Sequence, residues 1–109
     1  RECMARKRRS DRNHVIYQIT NTKTGEIYIG MTYARGRAFV KSAKSRFQGH
    51  CYFAFDAKKE TTLYRNMRAH GKPWFKVSVL EIVRGKKECH KRETQLIRER
   101  QPDLNMVSR

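Results

Sequence analysis

Five residues stand out because their types and spacing could do chemistry: Tyr17, Tyr28, Arg46, His50 and Glu93. Tyr17 and Tyr28 each sit near the middle of a short β-prone run, Val15-Ile16-Tyr17-Gln18-Ile19-Thr20 and Glu26-Ile27-Tyr28-Ile29-Gly30. Two phenols on neighbouring strands are either cross-strand packing or chemistry. Arg46 and His50 are spaced i, i+4 in a helical pattern, project from nearly the same side and flank Phe47. Glu93 falls in the centre of an apolar helical stripe made by Cys89, Leu96 and Ile97. Burying an unpaired carboxylate costs on the order of several kcal/mol, so Glu93 needs a cation or a role. A structural ion pair with an arginine and a functional site are equal readings at this point.

Composition names the partner of such a site. The chain of 109 residues carries 26 Lys+Arg against 10 Asp+Glu, a formal charge of +16. Residues 1–12 hold six basic and two acidic side chains, a net +4, so +12 belongs to the body of the protein. A field of that size costs stability through self-repulsion, and neutralised phosphates offset it. Nucleic acid is the favoured partner, ahead of an acidic membrane surface. No apolar run approaches the ~20 residues of a transmembrane helix, and the basic N-terminus has no hydrophobic region behind it to make a secretory signal. Cys3, Cys51 and Cys89 are odd in number and far apart, which suits small buried hydrophobes in a reducing cytoplasm. His50-Cys51 and Cys89-His90 together would make four zinc ligands, but neither pair forms the knuckle of a structural zinc site.

Stepping along the chain gives the elements that must position these residues. Residues 1–13 read as a flexible basic arm, with one domain over 14–109. Asn21-Thr22-Lys23-Thr24-Gly25 is a hairpin loop with glycine where a positive φ is useful. A bulge at Gly25 would set the register that puts both tyrosines on one face. A first helix is predicted from about Arg37 to Gln48, with Val40, Ala43 and Phe47, and Phe39 beside them, as its apolar stripe and Gly49 as its terminator. Residues 49–59 read as an aromatic loop. A second helix spans Thr62 to His70, burying Leu63 and Met67 and stopping at Gly71. Phe75 to Val83 alternates and then turns almost wholly apolar, as a central strand would. A third helix covers about Glu88 to Arg100, and Asp103 to Val107 returns to the core as a short extended segment. The order ββααβα makes an α+β fold, a three-stranded antiparallel sheet flanked by about three helices.

With these elements placed, Val15-Ile16-Tyr17 and Tyr28-Ile29-Gly30 across a hairpin resemble the signature of the GIY-YIG nuclease superfamily. The likeness is to the catalytic domains of phage intron-encoded homing endonucleases. It extends to Ile16-Tyr17-Gln18-Ile19-Thr20-Asn21, to Arg46 followed by His50, to Gly71 with Trp74-Phe75, to Arg92-Glu93 and to Leu104-Asn105, covering roughly residues 14–107. The resemblance implies an endonuclease that hydrolyses DNA phosphodiesters with one divalent ion, Mg2+ or Mn2+, in the cytoplasm of a bacterial or phage-infected cell. It assigns catalytic positions to Tyr17, Tyr28, Arg46, His50, Glu93 and Asn105. Glu93 would offer the metal a hard oxygen. Arg46 would present its planar fork to the scissile phosphate. Tyr17 would position or deprotonate the attacking water, with help from Arg46, His50 or metal-bound water because a free phenol has a pKa near ~10. Asn105 would orient Tyr28 or a phosphate.

Taken singly, each has an ordinary reading: packing for the tyrosines, solvation for Arg46, a helix C-terminal contact for His50 and a turn for Asn105. Their joint occurrence in order is what points to a site. Weaker candidates for phosphate contact are Lys41, Lys44, Arg65, Arg68 and Lys72; Tyr33 and Trp74 could stack on bases, although Trp74 reads as core. Val15 replaces the glycine that opens the usual signature, and the segment from Gly30 to Arg46 is longer than in homing enzymes. Those enzymes usually add a separate DNA-binding region, so either this chain is a fragment or it takes its specificity from its own surface, from a partner or not at all, and a second copy or partner domain would serve double-strand cleavage. The rival readings are a catalytically silent basic nucleic-acid-binding module and a nuclease of the same type acting on RNA.

Overall fold

The computed structural model describes residues 13–34, 38–59 and 61–105. The expected arm, apart from Asn13, lies outside these residues, as do Arg37 and the end of the tail from Met106. Strands β1 (Asn13–Asn21) and β2 (Ile27–Tyr33) are followed by α1 (Phe39–Cys51), a π-helical turn (Tyr52–Asp56) and α2 (Thr62–His70). A 3-10 turn (Lys72–Trp74), β3 (Phe75–Arg84) and α3 (Lys86–Arg100) complete the order. The α+β architecture read from the sequence is borne out, with three antiparallel strands in the order β2-β1-β3.

The central strand is β1, not β3. Its side chains are buried on both faces: Val15, Tyr17 and Ile19 join the core under α1 and α2, while Ile16 joins Ile29, Cys89 and Leu96 under α3. β3 is an edge strand, and its apolar run has another cause. The register of β1 on β3 shifts between Ile16 and Tyr17, whose partners are Glu81 and Val79, so Leu80 is left over. The irregularity breaks the alternation, and Phe75, Val77 and Val79 face one core while Leu80 and Val83 reach the other. Ile82, at 47 % exposure, is only half covered.

Gly25 has the expected positive φ, 85°. No bulge at Gly25 shifts the hairpin register, however: the β1–β2 pairing runs unbroken from His14 opposite Tyr33 to Thr20 opposite Ile27. The loop closes on Asn21, whose carbonyl accepts from Gly25 N–H at 2.7 Å and whose N–H donates to Glu26 at 2.8 Å. Asn21 is fully buried, and its side chain donates to Asn66 of α2 at 2.9 Å, which ties the hairpin to the helical layer.

Gly49 does not end α1. It stays helical, and the chain continues through Cys51 into the π-helical turn, replacing the expected aromatic loop. The extension buries Cys51 and Ala54 and packs Phe53 and Phe55 on the core. Arg68 of α2 secures it, donating to the carbonyls of Ala54 and Lys59 at 2.9 and 3.0 Å. Val40 is 58 % exposed; the buried side of α1 runs through Phe39, Ala43, Phe47 and Cys51 instead, a 3.6-residue stripe from which position 40 is rotated away. α2 has the predicted bounds. Thr61 caps it by accepting from Tyr64 N–H, and Gly71 stops it at φ 98°. Trp74 is half-exposed rather than core, with the Lys23 ammonium over its ring.

Beyond α3 the chain returns to the core as a turn rather than an extended segment. Leu104 is buried, and its N–H donates to Ile27 C=O at 2.9 Å, which partly covers the open edge of β2.

Candidate active site

The hairpin register brings the two tyrosines together. Tyr17 lies opposite Gly30, and Tyr28, two residues before Gly30, is its diagonal neighbour on the same face. Their ring centroids are 6.3 Å apart. The phenol of Tyr17 lies directly over Gly30: a Cβ at that position would sit 2.6 Å from the Tyr17 oxygen and 2.9 Å from the Tyr28 ring. The glycine of the Tyr-Ile-Gly run is therefore a space requirement of the tyrosine on the other strand.

α1 supplies the next two groups one turn apart. His50 is buried, and its Nε2 is 2.8 Å from the Tyr17 hydroxyl. Its Nδ1 is 2.8 Å from the hydroxyl of Tyr64 on α2. The imidazole also meets the Tyr28 ring edge-on, with centroids 5.4 Å apart. Burial, reinforced by the Arg46 cation, lowers the His50 pKa to about 4, so the ring is neutral at pH 7. Arg46 itself is exposed and near enough to the Tyr17 phenol to act on it. Burial pushes Tyr17 well above the ordinary phenol range and Tyr28 adds to this, while the Arg46 cation pulls the other way. Burial also raises Tyr28.

Glu93 of α3 lies on the same helix side as Cys89 and Leu96, and its side chain is 15 % exposed. Its partner is His90, at 3.5 Å and itself largely exposed. The neighbouring arginine is committed elsewhere: Arg92 grips both carboxylate oxygens of Glu81, at 2.6 to 3.0 Å. Burial raises the Glu93 pKa, and its negative charge in turn raises those of Tyr17 and Tyr28. The carboxylate thus acts on the phenols. Among the described residues no cluster of three or more His, Cys, Asp or Glu forms a protein-only metal cage. A half-buried carboxylate with no Lys or Arg partner among the described residues fits a hard ion that keeps most of its waters.

The family model of the GIY-YIG catalytic domain matches residues 13–106. The chain belongs to the GIY-YIG family. It is a nuclease domain, and its substrate is a nucleic acid. Nucleases of the family are in general dependent on a divalent metal ion. The fold is also that of solved catalytic domains. The catalytic domain of the homing endonuclease I-TevI superposes with a TM-score of 0.69 at 24% identity, covering 87% of this chain and 99% of that one. An alanine mutant of the catalytic domain of the intron endonuclease I-TevI gives 0.70 at 24% identity, covering 89% and 96%. No curated protein matches the sequence.

The remaining candidates divide within this GIY-YIG frame. Asn105 spends its side-chain hydrogen bonds on the backbone of Ile29 rather than on the Tyr28 hydroxyl. Its amide donates to Ile29 C=O and its carbonyl accepts from Ile29 N–H, both at 2.8 Å, clamping the edge of β2 next to Tyr28. Lys41 lines a cleft of about 550 Å³ with Thr32, Tyr33, Ser42, Ser45 and Arg46, between β2 and α1. Lys44, Arg65 and Lys72 are exposed. Arg68 is engaged by the two carbonyls of the segment after α1. Sequence reasoning missed Tyr64. The signal was its place beside buried Leu63, three residues after the capping Thr61, in a helix where only Leu63 and Met67 had been counted as core.

Proposed function

We propose that the domain is a divalent-metal-dependent DNA endonuclease whose working groups are Tyr17, Tyr28, Arg46, His50 and Glu93, with Asn105 holding the Tyr28 strand. The observation that carries this reading is the buried Tyr17–His50 hydrogen bond of 2.8 Å, made within reach of the charges of Arg46 and Glu93. DNA is taken as the substrate from the solved domains, which belong to a homing and intron endonuclease.

Arg46 is exposed, so its guanidinium is free to turn from the Tyr17 phenol to the scissile phosphate and hold two of its oxygens. That turn uncovers the Tyr17 oxygen, otherwise nearly wholly buried. The attacking water then gives its proton to Tyr17 as Tyr17 passes its own to His50 Nε2, so no free phenolate forms. Phosphate on Arg46 also cancels the positive charge that holds His50 down, which makes the imidazole a better acceptor when substrate is present. Tyr28 packs against the imidazole and keeps it in line. Glu93 would hold the divalent ion, which when bound supplies positive charge to the phosphate and the leaving 3′-oxygen. Lys41, Lys44, Arg65 and Lys72 extend the basic surface for flanking phosphates. One such site cuts one strand; a second copy or a partner domain would supply the second cut. The described cysteines, free and buried, suit a reducing cytoplasm.

Supercoiled plasmid incubated with the protein and Mg2+ tests the reading. Nicking is expected, stopped by chelator and by Glu93→Ala. Tyr17→Phe should cut cleavage far more than it weakens binding. DNA binding without nicking at any protein concentration defeats the enzyme reading, and cleavage unchanged in Glu93→Ala removes the metal ligand. Cleavage of RNA but not of plasmid would move the substrate class. Binding should fall steeply with salt.

A further inference from the structure

The hydrogen bond that the proposed mechanism leaves unused is the one on the far side of His50, to Tyr64. A neutral imidazole has one N–H, so only one of its two 2.8 Å partners can receive it. The proposed proton path decides which. Nε2 must be bare to take the Tyr17 proton, so the imidazole proton has to sit on Nδ1, where the Tyr64 hydroxyl is the partner at 2.8 Å.

We propose that Tyr64 is a positioning residue for catalysis: its hydroxyl accepts from Nδ1–H, fixes the tautomer that leaves Nε2 open to the Tyr17 proton, and keeps Nδ1–H bonded while His50 is doubly protonated. This rests on the proposed role of the Tyr17–His50 pair. The proton account closes. The water O–H breaks as the new P–O bond forms and the P–O3′ bond breaks; the water's proton goes to the Tyr17 oxygen, the Tyr17 proton goes to Nε2, and the leaving 3′-oxygen takes its proton from solvent. The imidazolium that results has both N–H groups bonded, one to Tyr17 and one to Tyr64, and it later releases the extra proton back through Tyr17. Without Tyr64, a ring this deeply buried would carry a charged N–H with no acceptor.

The local fold is consistent with a built contact. The helical extension through Cys51 and the π-helical turn carries the chain round so that α2 returns beside His50. Thr61 then fixes the first turn of α2 by capping Tyr64 N–H. Tyr64 is itself buried, and its ring is 5.6 Å from the imidazole. A cavity of about 250 Å³, lined by Tyr28, His50, Thr61, Tyr64 and Asn105 among others, lies alongside and gives the Tyr64 proton room to point away from Nδ1.

The test is a nitrogen-detected NMR measurement of the His50 ring in the full chain, with single-turnover cleavage of plasmid alongside. In the wild type, Nδ1 should show the shift of a protonated nitrogen and Nε2 that of a bare one. In Tyr64→Phe, which keeps the ring and loses the hydroxyl, the tautomer should move toward Nε2–H. The cleavage rate constant should fall about tenfold, one hydrogen bond's worth, with plasmid affinity unchanged because Tyr64 meets His50 at the nitrogen away from Tyr17. A wild-type ring protonated on Nε2 overturns the proposal, as does Tyr64→Phe with the wild-type rate. Failure of the nuclease reading would appear separately, as wild-type protein that does not cut; the NMR arm still decides the tautomer in that case.

Discussion

Ile16 and Tyr17 are adjacent in β1 and belong to different worlds. Ile16 enters a dry cluster with Ile29, Cys89 and Leu96 under α3. Tyr17 enters a larger cluster under α1 and α2, in which a hydroxyl, an imidazole and a second hydroxyl are buried in a row. Each polar atom in that row has a partner, so it does not carry the penalty of an unmet group. The dry face holds the sheet together and the wet face holds the chemistry. Glu93 crosses the division: it stands on the helix side of the dry face, and its charge raises the pKa of both phenols on the other.

The sharpest way to break that comparison is to weaken each face separately. Ile16→Ala removes buried methyl groups from a fully packed site and should cost about 2–5 kcal/mol in a denaturant titration. The molecules that remain folded should cleave normally. Glu93→Gln should do the reverse. It replaces a half-buried carboxylate by a neutral isostere, so stability holds or rises, while cleavage falls about 10²–10³-fold. Equal destabilisation by the two substitutions would make Glu93 a structural residue.

The wet face also has a pH signature. The His50 pKa is about 4 in the folded protein, against an ordinary 6.5 in the unfolded chain. Below pH 6.5 the unfolded state takes up a proton that the folded state refuses, so stability is full above 6.5 and declines as pH falls toward 4. The contribution is on the order of 3 kcal/mol at most. It is measured as the difference between wild type and His50→Asn in thermal melts across that window. Parallel pH curves for the two proteins would mean that the imidazole is not held neutral.

Much of this division was legible in the sequence, and what was not has physical causes. The hairpin, the bounds of α2 and the placing of Arg46 and His50 on one helix side follow from turn chemistry, capping and helical spacing, which are local, whereas the grouping of that pair with Tyr17 and Tyr28 came from the family resemblance. The position of β3 was misread because an apolar run looks central whether it is covered on both faces or crosses from one core to the other at a bulge, as at Leu80. Gly49 signals a stop only where the chain beyond it has nothing to bury, and Cys51 and Ala54 do. Tyr64 was invisible because its meaning depends on a contact across 14 residues of chain.

The smallest expected effect concerns the arginine beside Glu93. Arg92 and Glu93 are consecutive in α3, yet the structure gives them opposite circumstances. Arg92 is bidentate to Glu81 across a partly exposed surface, and its hydrogen bonds, more than its charge, lower the Glu81 pKa. Surface pairs of this kind contribute little and are screened by salt. Arg92→Ala should therefore lower the melting temperature slightly at low ionic strength, lose even that difference at high salt, and cleave DNA at the wild-type rate. Without Arg92, Glu81 takes up its proton at a higher pH, so the small loss is full above the carboxylate range and disappears below it, where Glu81 is protonated in both proteins. A cleavage defect approaching that of Glu93→Gln would show that the Arg92–Glu81 grip aims the neighbouring carboxylate. In that case the boundary between holding and reacting would run through α3 rather than between the two faces of β1.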